Sequence, residues 1–495
     1  MRQTLVMNNV GNSRSGMGDT LRDIIPSESL SSQMETPFDD LIPKTDDLEA
    51  QFYLDAMRIY LALCAGSIPM ETALQAVEVL RANPEYATFP TNPAMIPINN
   101  RYKTKILDNL KTLKKFNLIT RDSIRSAYSF AFLMEDSVLS TTDHETLSLF
   151  SRNPTISLAQ AASELNLTSR TVARALERLR ERHSLRFTAL VDFTAFNLQS
   201  VLVFFTLKEG LDWSSLERGL ARFPLTKTIL KTTMTDLGYV TFLIPNIDQH
   251  KQVFQASLRE VACEFFDYTS PHYQLGNGAT SNLSLYSGGE WKLPEYLPGD
   301  ITEHADALNE PPIIHCRGVR PELSKMDLAV ATHLQIDSRA PPSRISTNLA
   351  VRGFDIEPRK VAQSEKRFTD RGLILPYVLF GGLGLSSNFC FEIVCNERWK
   401  SRTLRIVSQF PWSMYYTSNR GIIVWTISPG THQVEYYQMF RALEQNPGVE
   451  IVNPIMTIAQ GGSRSLLDIT KDYSYNDGRW DIKSSDVDLR NFVFD

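Results

Sequence analysis

Between positions 143 and 185 the apolar residues recur three and four apart in three short runs, the spacing that gathers side chains on one face of a helix. The runs cover 143–150, 157–165 and 169–182. In the third, Val172, Leu176 and Leu179 fall in one narrow sector, while Arg170, Arg174 and Arg178 fall on the opposite side. Thr168 and Ser169 suit the N-cap, and Asn166-Leu167 supplies the preceding turn. Three short helices in this order form a helix-turn-helix plan.

Downstream the period changes. Strands are expected at 201–207, 226–233, 239–244 and 264–268. Helices are expected at 213–220, with Trp213, Leu216 and Leu220 on one face, and at 248–261. This βαββαβ order is that of the ferredoxin-like fold.

The whole pattern recurs. RTVARALERLRERHSL, starting at Arg170, aligns without gaps to RKVAQSEKRFTDRGLI, starting at Arg359, and shares Arg170/Arg359, Val172/Val361, Ala173/Ala362, Arg178/Arg367 and Arg182/Arg371. Helices at 325–334 and 343–351 precede the second copy, and the same βαββαβ order follows it between 389 and 458. A weaker trihelical pattern precedes both. Upstream helices at 52–63 and 70–80 lead to NRYKTKILDNLKTLKKFNLITR, in which Ile106, Leu110 and Leu113 repeat the packing stripe, and 118–120 with 128–133 suggest a wing.

Breakers divide these patterns. The expected fold is α+β and multidomain, with winged helix-turn-helix units and two ferredoxin-like domains. The divisions are a disordered tail at 1–46, an N-terminal winged helix domain at 47–136, a helix-turn-helix domain at 140–196 and a ferredoxin-like domain at 197–275. A Gly- and Pro-rich linker at 276–322 leads to a second helix-turn-helix domain at 323–380, a second ferredoxin-like domain at 381–460 and a tail at 461–495. In the tail, Trp480, Phe492 and Phe494 are candidates to dock.

Composition narrows the chemistry. The 495 residues exceed what one core organises. No run is apolar enough for a membrane helix and the start lacks a signal-peptide core, so a cytoplasmic protein without membrane association is expected. The five cysteines show no CxxC pair or zinc spacing, so reduced, mostly buried thiols are expected. A net charge of −5 argues against coating nucleic acid everywhere, because phosphate neutralisation supplies most non-specific affinity. Local basic faces remain.

Those faces give the candidate contacts with double-stranded DNA. Arginine suits the task because its planar fork can reach guanine O6 and N7 together, or phosphates. In the first unit the candidates are Ser169, Arg170, Thr171, Arg174 and Arg178; in the second, Arg359 and Lys360; in the N-terminal unit, Lys103 and Lys105, which suit phosphates better than bases. The bland alternative is that Arg174, Glu177, Arg178 and Glu181 pair along a solvated helix. The second copy departs from the first, with Gln363 at the position of Arg174 and Ser364-Glu365 at that of Ala175-Leu176, leaving a poorer packing stripe.

TSRTVARALERLRERHSL, KMDLAVATHLQ and DRGLI, with the domain order, resemble the Lrp/AsnC (feast/famine) family of transcription regulators in tandem. The resemblance spans about 142–273 and 324–460. It implies an intramolecular pseudo-dimer of the two ferredoxin-like domains, further homo-oligomers, and a small-molecule effector, here unassigned. TDLGYVTF and SNRGIIVW keep the glycine of the family's amino-acid-sensing turn, as Gly238 and Gly421, but lack the acidic residue that follows. Gly238 is read as a turn glycine.

No catalytic motif stands out, so a non-enzyme without cofactor or metal is expected. Gly381-Gly382-Leu383-Gly384 precedes a strand instead of opening a helix and makes a poor phosphate cradle. Two alternatives differ in class. A sirohaem-decarboxylase-like enzyme, also built from paired units of this type, would need a tetrapyrrole pocket and would give a Soret band. A protein-interaction scaffold would show no salt-dependent DNA retention.

Overall fold

The computed structural model describes residues 36–68, 100–120, 138–211, 213–232, 237–294, 304–456, 458–463 and 465–494, with isolated positions 73, 76, 80, 123, 124 and 127. Most of the expected tail at 1–46, most of the helix at 70–80 and the strand at 128–133 lie outside the described residues.

In the N-terminal unit, α1 (Leu48–Cys64) is capped by Asp47, whose carboxylate accepts from the Ala50 amide at 2.8 Å. The stripe Ile106, Leu110 and Leu113 of α2 (Asn100–Phe116) shares one buried cluster with Phe52, Met57 and Leu61 of α1.

The first helix-turn-helix unit is α3 (Thr141–Arg152), α4 (Leu158–Glu164) and α5 (Ser169–His183), followed by β1 (Arg186–Val191). Then come β2 (Leu198–Leu207), α6 (Trp213–Arg222), β3 (Thr226–Thr232), β4 (Leu237–Pro245), α7 (Asp248–Phe265) and β5 (Phe266–Ser281). At sixteen residues β5 runs far beyond the strand expected at 264–268. Two short strands, β6 (Tyr286–Ser287) and β7 (Glu290–Trp291), form a hairpin, and β8 (Ile314–His315) pairs back on β5. The segment expected as a linker is therefore largely built into the fold. Its glycines serve pairing: the α-carbon of Gly278 sits against the Pro312 carbonyl and the Tyr415 ring, where a Cβ has no room.

The second half repeats the order: α8 (Lys325–Leu334), α9 (Pro342–Ala350), α10 (Pro358–Asp370), β9 (Ile374–Leu379), β10 (Leu385–Cys395), α11 (Glu397–Val407), β11 (Trp412–Ser418), β12 (Gly421–Pro429), α12 (Gln433–Leu443), β13 (Val449–Met456) and β14 (Ile458–Ser463). The C-terminal segment adds α13 (Ile469–Asp472), the hairpin β15 (Tyr475–Asn476) with β16 (Arg479–Trp480), and α14 (Arg490–Val493).

The long strands join the halves. The first part of β5 pairs with β2, from Leu207↔Phe266 to Val201↔Tyr273, and its second part pairs with β11, from Ser418↔Gln274 to Trp412↔Ser281. Reciprocally, β13 pairs with β10 inside the second half, and its continuation β14 pairs with β3 of the first. The ten-stranded order is β13-β10-β12-β11-β5-β2-β4-β3-β14, with β8 beside β5. One face of this sheet packs on helices. The other turns on itself, so that Leu202, Phe204 and Tyr239 of the first half share a cluster with Cys390 and Ile423 of the second. This double burial explains why β2 reads as a continuous apolar run without alternation.

At one end of that interior a carboxylate is enclosed. Glu392 accepts hydrogen bonds from Asn453 at 2.7 Å and Tyr268 at 2.9 Å, and lies 2.8 Å from His272 Nε2. Burial pushes the Glu392 pKa up, but the hydrogen bonds from His272, Ser270 and Asn453 outweigh it, and the net shift is downward.

The two helix-turn-helix units are joined by their following strands. β1 pairs antiparallel with β9, from Arg186↔Leu379 to Val191↔Ile374. Gly238, expected at a turn, lies inside β4 over the rings of Phe205 and Trp213, and close approach explains the glycine.

Candidate nucleic-acid interface

The geometry of α5 begins with its cap. Asn166 takes φ 52°, turning the chain out of α4, and Thr168 Oγ1 accepts from the Thr171 amide at 3.1 Å. One face of the helix buries Val172, Ala175, Leu176 and Leu179. On the other, Ser169, Arg170 and Arg174 are exposed, and Thr171 is half-buried with its hydroxyl 2.9 Å from that of Thr168. Arg170 and Arg174 form no hydrogen bond or ion pair among the described residues, nor do Glu177 and Glu181. The intrahelical pairing of Arg174 and Arg178 with Glu177 and Glu181 is not seen. Two guanidinium groups are thus left to solvent at the first turns of a capped helix, where the helix dipole also favours anions.

Arg178 departs from expectation. Its Nη2 donates to Asp143 Oδ1 at 2.6 Å and its Nε to Oδ2 at 3.3 Å, tying α5 to the first turn of α3. The hydrogen bond to Asp143 holds the guanidinium above its ordinary pKa. Helical geometry explains the correction. Each step of four residues advances about 40° around a helix, so by the second step from Arg170 the side chain has drifted from the outer face to the flank. Arg178 is a structural residue, and the outward pair is Arg170 and Arg174.

The second unit has the same lock. Arg367 Nη1 donates to Asp327 Oδ1 at 2.9 Å, and Ser364 Oγ donates to the same atom at 2.7 Å. The Arg178/Arg367 match in the repeat therefore corresponds to a helix-to-helix bond made in both units. Ser364 and Phe368 are buried beside Val361, so the stripe that reads as poorer is completed by this hydrogen bond. Glu365, at the position of Leu176, is half-buried, and burial raises its pKa. Arg359 and Lys360 are exposed on the first turn of α10, but Glu357 makes no side-chain cap, and the turn at 351–357 is longer than that at 165–168.

In the N-terminal unit, Lys103 Nζ lies 5.2 Å from the centre of the Phe38 ring and Lys105 is half-buried. Lys114 Nζ donates to the Asp40 carbonyl at 2.7 Å. The chain before α1 thus occupies part of this basic face.

One residue escapes sequence reading. Arg339, between α8 and α9, stacks on Phe150 and Phe187 of the first unit at 5.0 Å from each ring centre and donates to the Pro154 and Ile156 carbonyls at 2.8 Å. Burial lowers its pKa. No local pattern marks it, because its partners lie in the other half.

Among the described residues no His, Cys, Asp and Glu cluster could hold a metal, no helix is long and apolar enough to cross a membrane, and none of the five cysteines is in a disulfide. Cys390 and Cys395 are buried, Cys64 and Cys316 half-buried, and Cys263 exposed.

No curated protein matches the chain. Among solved structures, the siroheme decarboxylase NirDL is similar at 11% identity over 67% of this chain and 96% of its own, with a TM-score of 0.38. A transcriptional regulator from Neisseria meningitidis in complex with L-Met is similar at 14% identity over 28% of this chain and 90% of its own, TM-score 0.22. An AsnC family transcriptional regulator from Agrobacterium tumefaciens is similar at 14% identity over 27% and 89%, TM-score 0.20. Residues 139–183 match the family model described as winged helix-turn-helix DNA-binding. The unit formed by α3, α4 and α5 is thus a winged helix-turn-helix of DNA-binding type.

Proposed function

We propose that this protein is a duplex-DNA-binding transcription regulator of the Lrp/AsnC type, without catalytic activity of its own, whose principal reading helix is α5. The observation that carries this reading is the exposed first two turns of α5, where Arg170 and Arg174 stand without acidic partners among the described residues while the opposite face is buried. Ser169 and Thr171 flank them and suit phosphate contacts. Arg359 and Lys360 of α10, brought into the same assembly by the β1–β9 pairing, would add backbone contacts on a second, unlike half-site. The internal pairing of the halves through β5 and β14 stands in for a dimer of two subunits.

The test is a titration of the full chain against duplex DNA at several salt concentrations. Each phosphate contact contributes about −0.9 to the slope of log K against log salt. A slope equivalent to several contacts is expected. Retention that does not vary with salt would remove DNA from the account and favour the scaffold reading. A Soret band in the purified protein would favour the tetrapyrrole reading.

A further inference from the structure

The repeat extends further than the helix-turn-helix helices. At the same offset that relates Arg170 to Arg359, the sequence Tyr286-Ser-Gly-Gly-Glu-Trp291 recurs as Tyr475-Asn-Asp-Gly-Arg-Trp480. Both are two-stranded hairpins with a direct Tyr↔Trp cross-strand pair. Both turn through two residues of positive φ, Gly288 (64°) and Gly289 (90°) in one, Asp477 (48°) and Gly478 (74°) in the other, the requirement of a tight hairpin turn. The paired rings lie 5.1 Å apart in the first and 4.9 Å in the second.

Their docking is crossed. Trp291 follows the first half, yet its indole Nε1 donates at 2.6 Å to the carbonyl of Leu383, at the junction leading into β10 of the second half. Trp480 follows the second half, yet its Nε1 donates at 2.8 Å to the carbonyl of Phe196, at the junction leading into β2 of the first. Each hairpin also meets the helix-turn-helix unit of its own half. Tyr286 stacks near His144 of α3 at 5.9 Å, and His144 Nε2 lies 3.2 Å from the Leu283 carbonyl. Tyr475 and Trp480 share a core cluster with Leu328 and Leu334 of α8, together with Phe196.

We propose that the two hairpins are matched clamps, each fixing the helix-turn-helix unit of its own half to the sheet junction of the other, with Trp291 the positioning residue for α5. This rests on the DNA-reading role of α5 for its functional meaning, but the clamp itself is testable without DNA. An indole that bridges two bodies through one buried hydrogen bond and one aromatic pair sets their angle. A change of that angle moves Arg170 and Arg174 relative to α10.

The test uses the full chain with Trp291→Phe and Trp480→Phe, which keep an aromatic ring but remove the indole N–H together with the smaller ring that carries it, and Trp291→Ala as the stronger variant. Amide hydrogen exchange is read by peptide. Trp291→Phe should speed exchange in α3 and α5 roughly fivefold to tenfold, the size of one lost buried hydrogen bond, and leave α8 and α10 unchanged; Trp480→Phe should do the reverse. Equal effects of both variants on both units, or no effect, would overturn the clamp. The same variants are then footprinted on a duplex that the unmodified protein selects from a random-sequence pool. Trp291→Phe should relax the preferred spacing between the protected segments while the protein stays folded by circular dichroism, and Trp291→Ala should relax it further. An unchanged footprint would overturn the positioning role. If the unmodified protein selects no duplex, the DNA reading fails while the exchange pattern still decides the clamp.

Discussion

The first and second helix-turn-helix units share a plan and a bond, Arg178 to Asp143 and Arg367 to Asp327, but differ in what they expose. In the first, α3 buries one face, the turn before α5 is short, and Thr168 caps a helix that presents free arginines. In the second, every residue of α8 from Asp327 to Leu334 is buried, because Leu466, Leu467, Tyr475 and Trp480 of the C-terminal segment pack over it. The two units have the same helix order but different surroundings. The first unit leaves α5 open to water at Arg170 and Arg174, and the second has its α8 enclosed.

Core truncation gives the largest effects and shows whether both units are equally cooperative with the rest. Leu179 and Phe368 are aligned and almost fully buried. Leu179→Ala should cost about 2–5 kcal/mol and Phe368→Ala about 3–5 kcal/mol in denaturant unfolding. Phe368 belongs to a cluster that also includes Phe196 of the first half, and Leu179 to one that also includes Val378, Leu383 and Trp412 of the second, so the loss of either should loosen both halves. Losses confined to one unit would contradict this shared packing.

The next effect separates the two aspartates. Asp143→Ala leaves Arg178 partly in water, and a loss of about 1 kcal/mol is expected. Asp327→Ala leaves both the Ser364 hydroxyl and Arg367 without their acceptor at a buried site, for about 2–3 kcal/mol. Chemical denaturation of the two variants side by side measures the ratio; a larger cost at Asp143 would contradict it.

Acid should loosen the enclosed unit. Burial lowers the His333 pKa from 6.5 to about 4, opposed by Asp337 and reinforced by Arg352 and Arg344. The folded state therefore binds fewer protons than the unfolded state between those values. His333 costs nothing above about pH 6.5, and as pH falls below it the fold loses up to ~1.4 kcal/mol per unit until about pH 4. Melting temperatures at pH 7 and pH 5 should diverge less in His333→Gln than in the unmodified chain. Parallel pH profiles would assign the acid sensitivity elsewhere.

Much of this was legible in the sequence, and the reasons for the remainder are physical. Helix periodicity marks α8 to the residue and places α5 within a residue or two, since buried stripes recur with the turn of the helix. The order of strands and helices in both halves is likewise visible. The second part of β5 is hidden because from Gly276 on it falls in the stretch read as a Gly- and Pro-rich linker, and only pairing with β11, distant in sequence, makes it a strand. The hairpins at Tyr286 and Tyr475 escape for a different reason, each being too short to show a period. At the candidate site, the wheel separated packed from outward positions, but it could not reveal that Asp143 would capture Arg178.

The central claim is that α5 reads DNA through Arg170 and Arg174 and that α10 contributes less. The direct measurement is a titration of one duplex, selected by the unmodified protein, against Arg170→Ala/Arg174→Ala and against Arg359→Ala/Lys360→Ala at one fixed salt concentration, with the fold of each verified by circular dichroism. Since a good bidentate base contact is worth about 1–3 kcal/mol, the first pair should weaken specific binding by roughly 30-fold or more and flatten discrimination between sequences, while the second should weaken all sequences modestly and alike. Unchanged affinity of the Arg170→Ala/Arg174→Ala protein, or a greater loss from the α10 pair, would contradict the account.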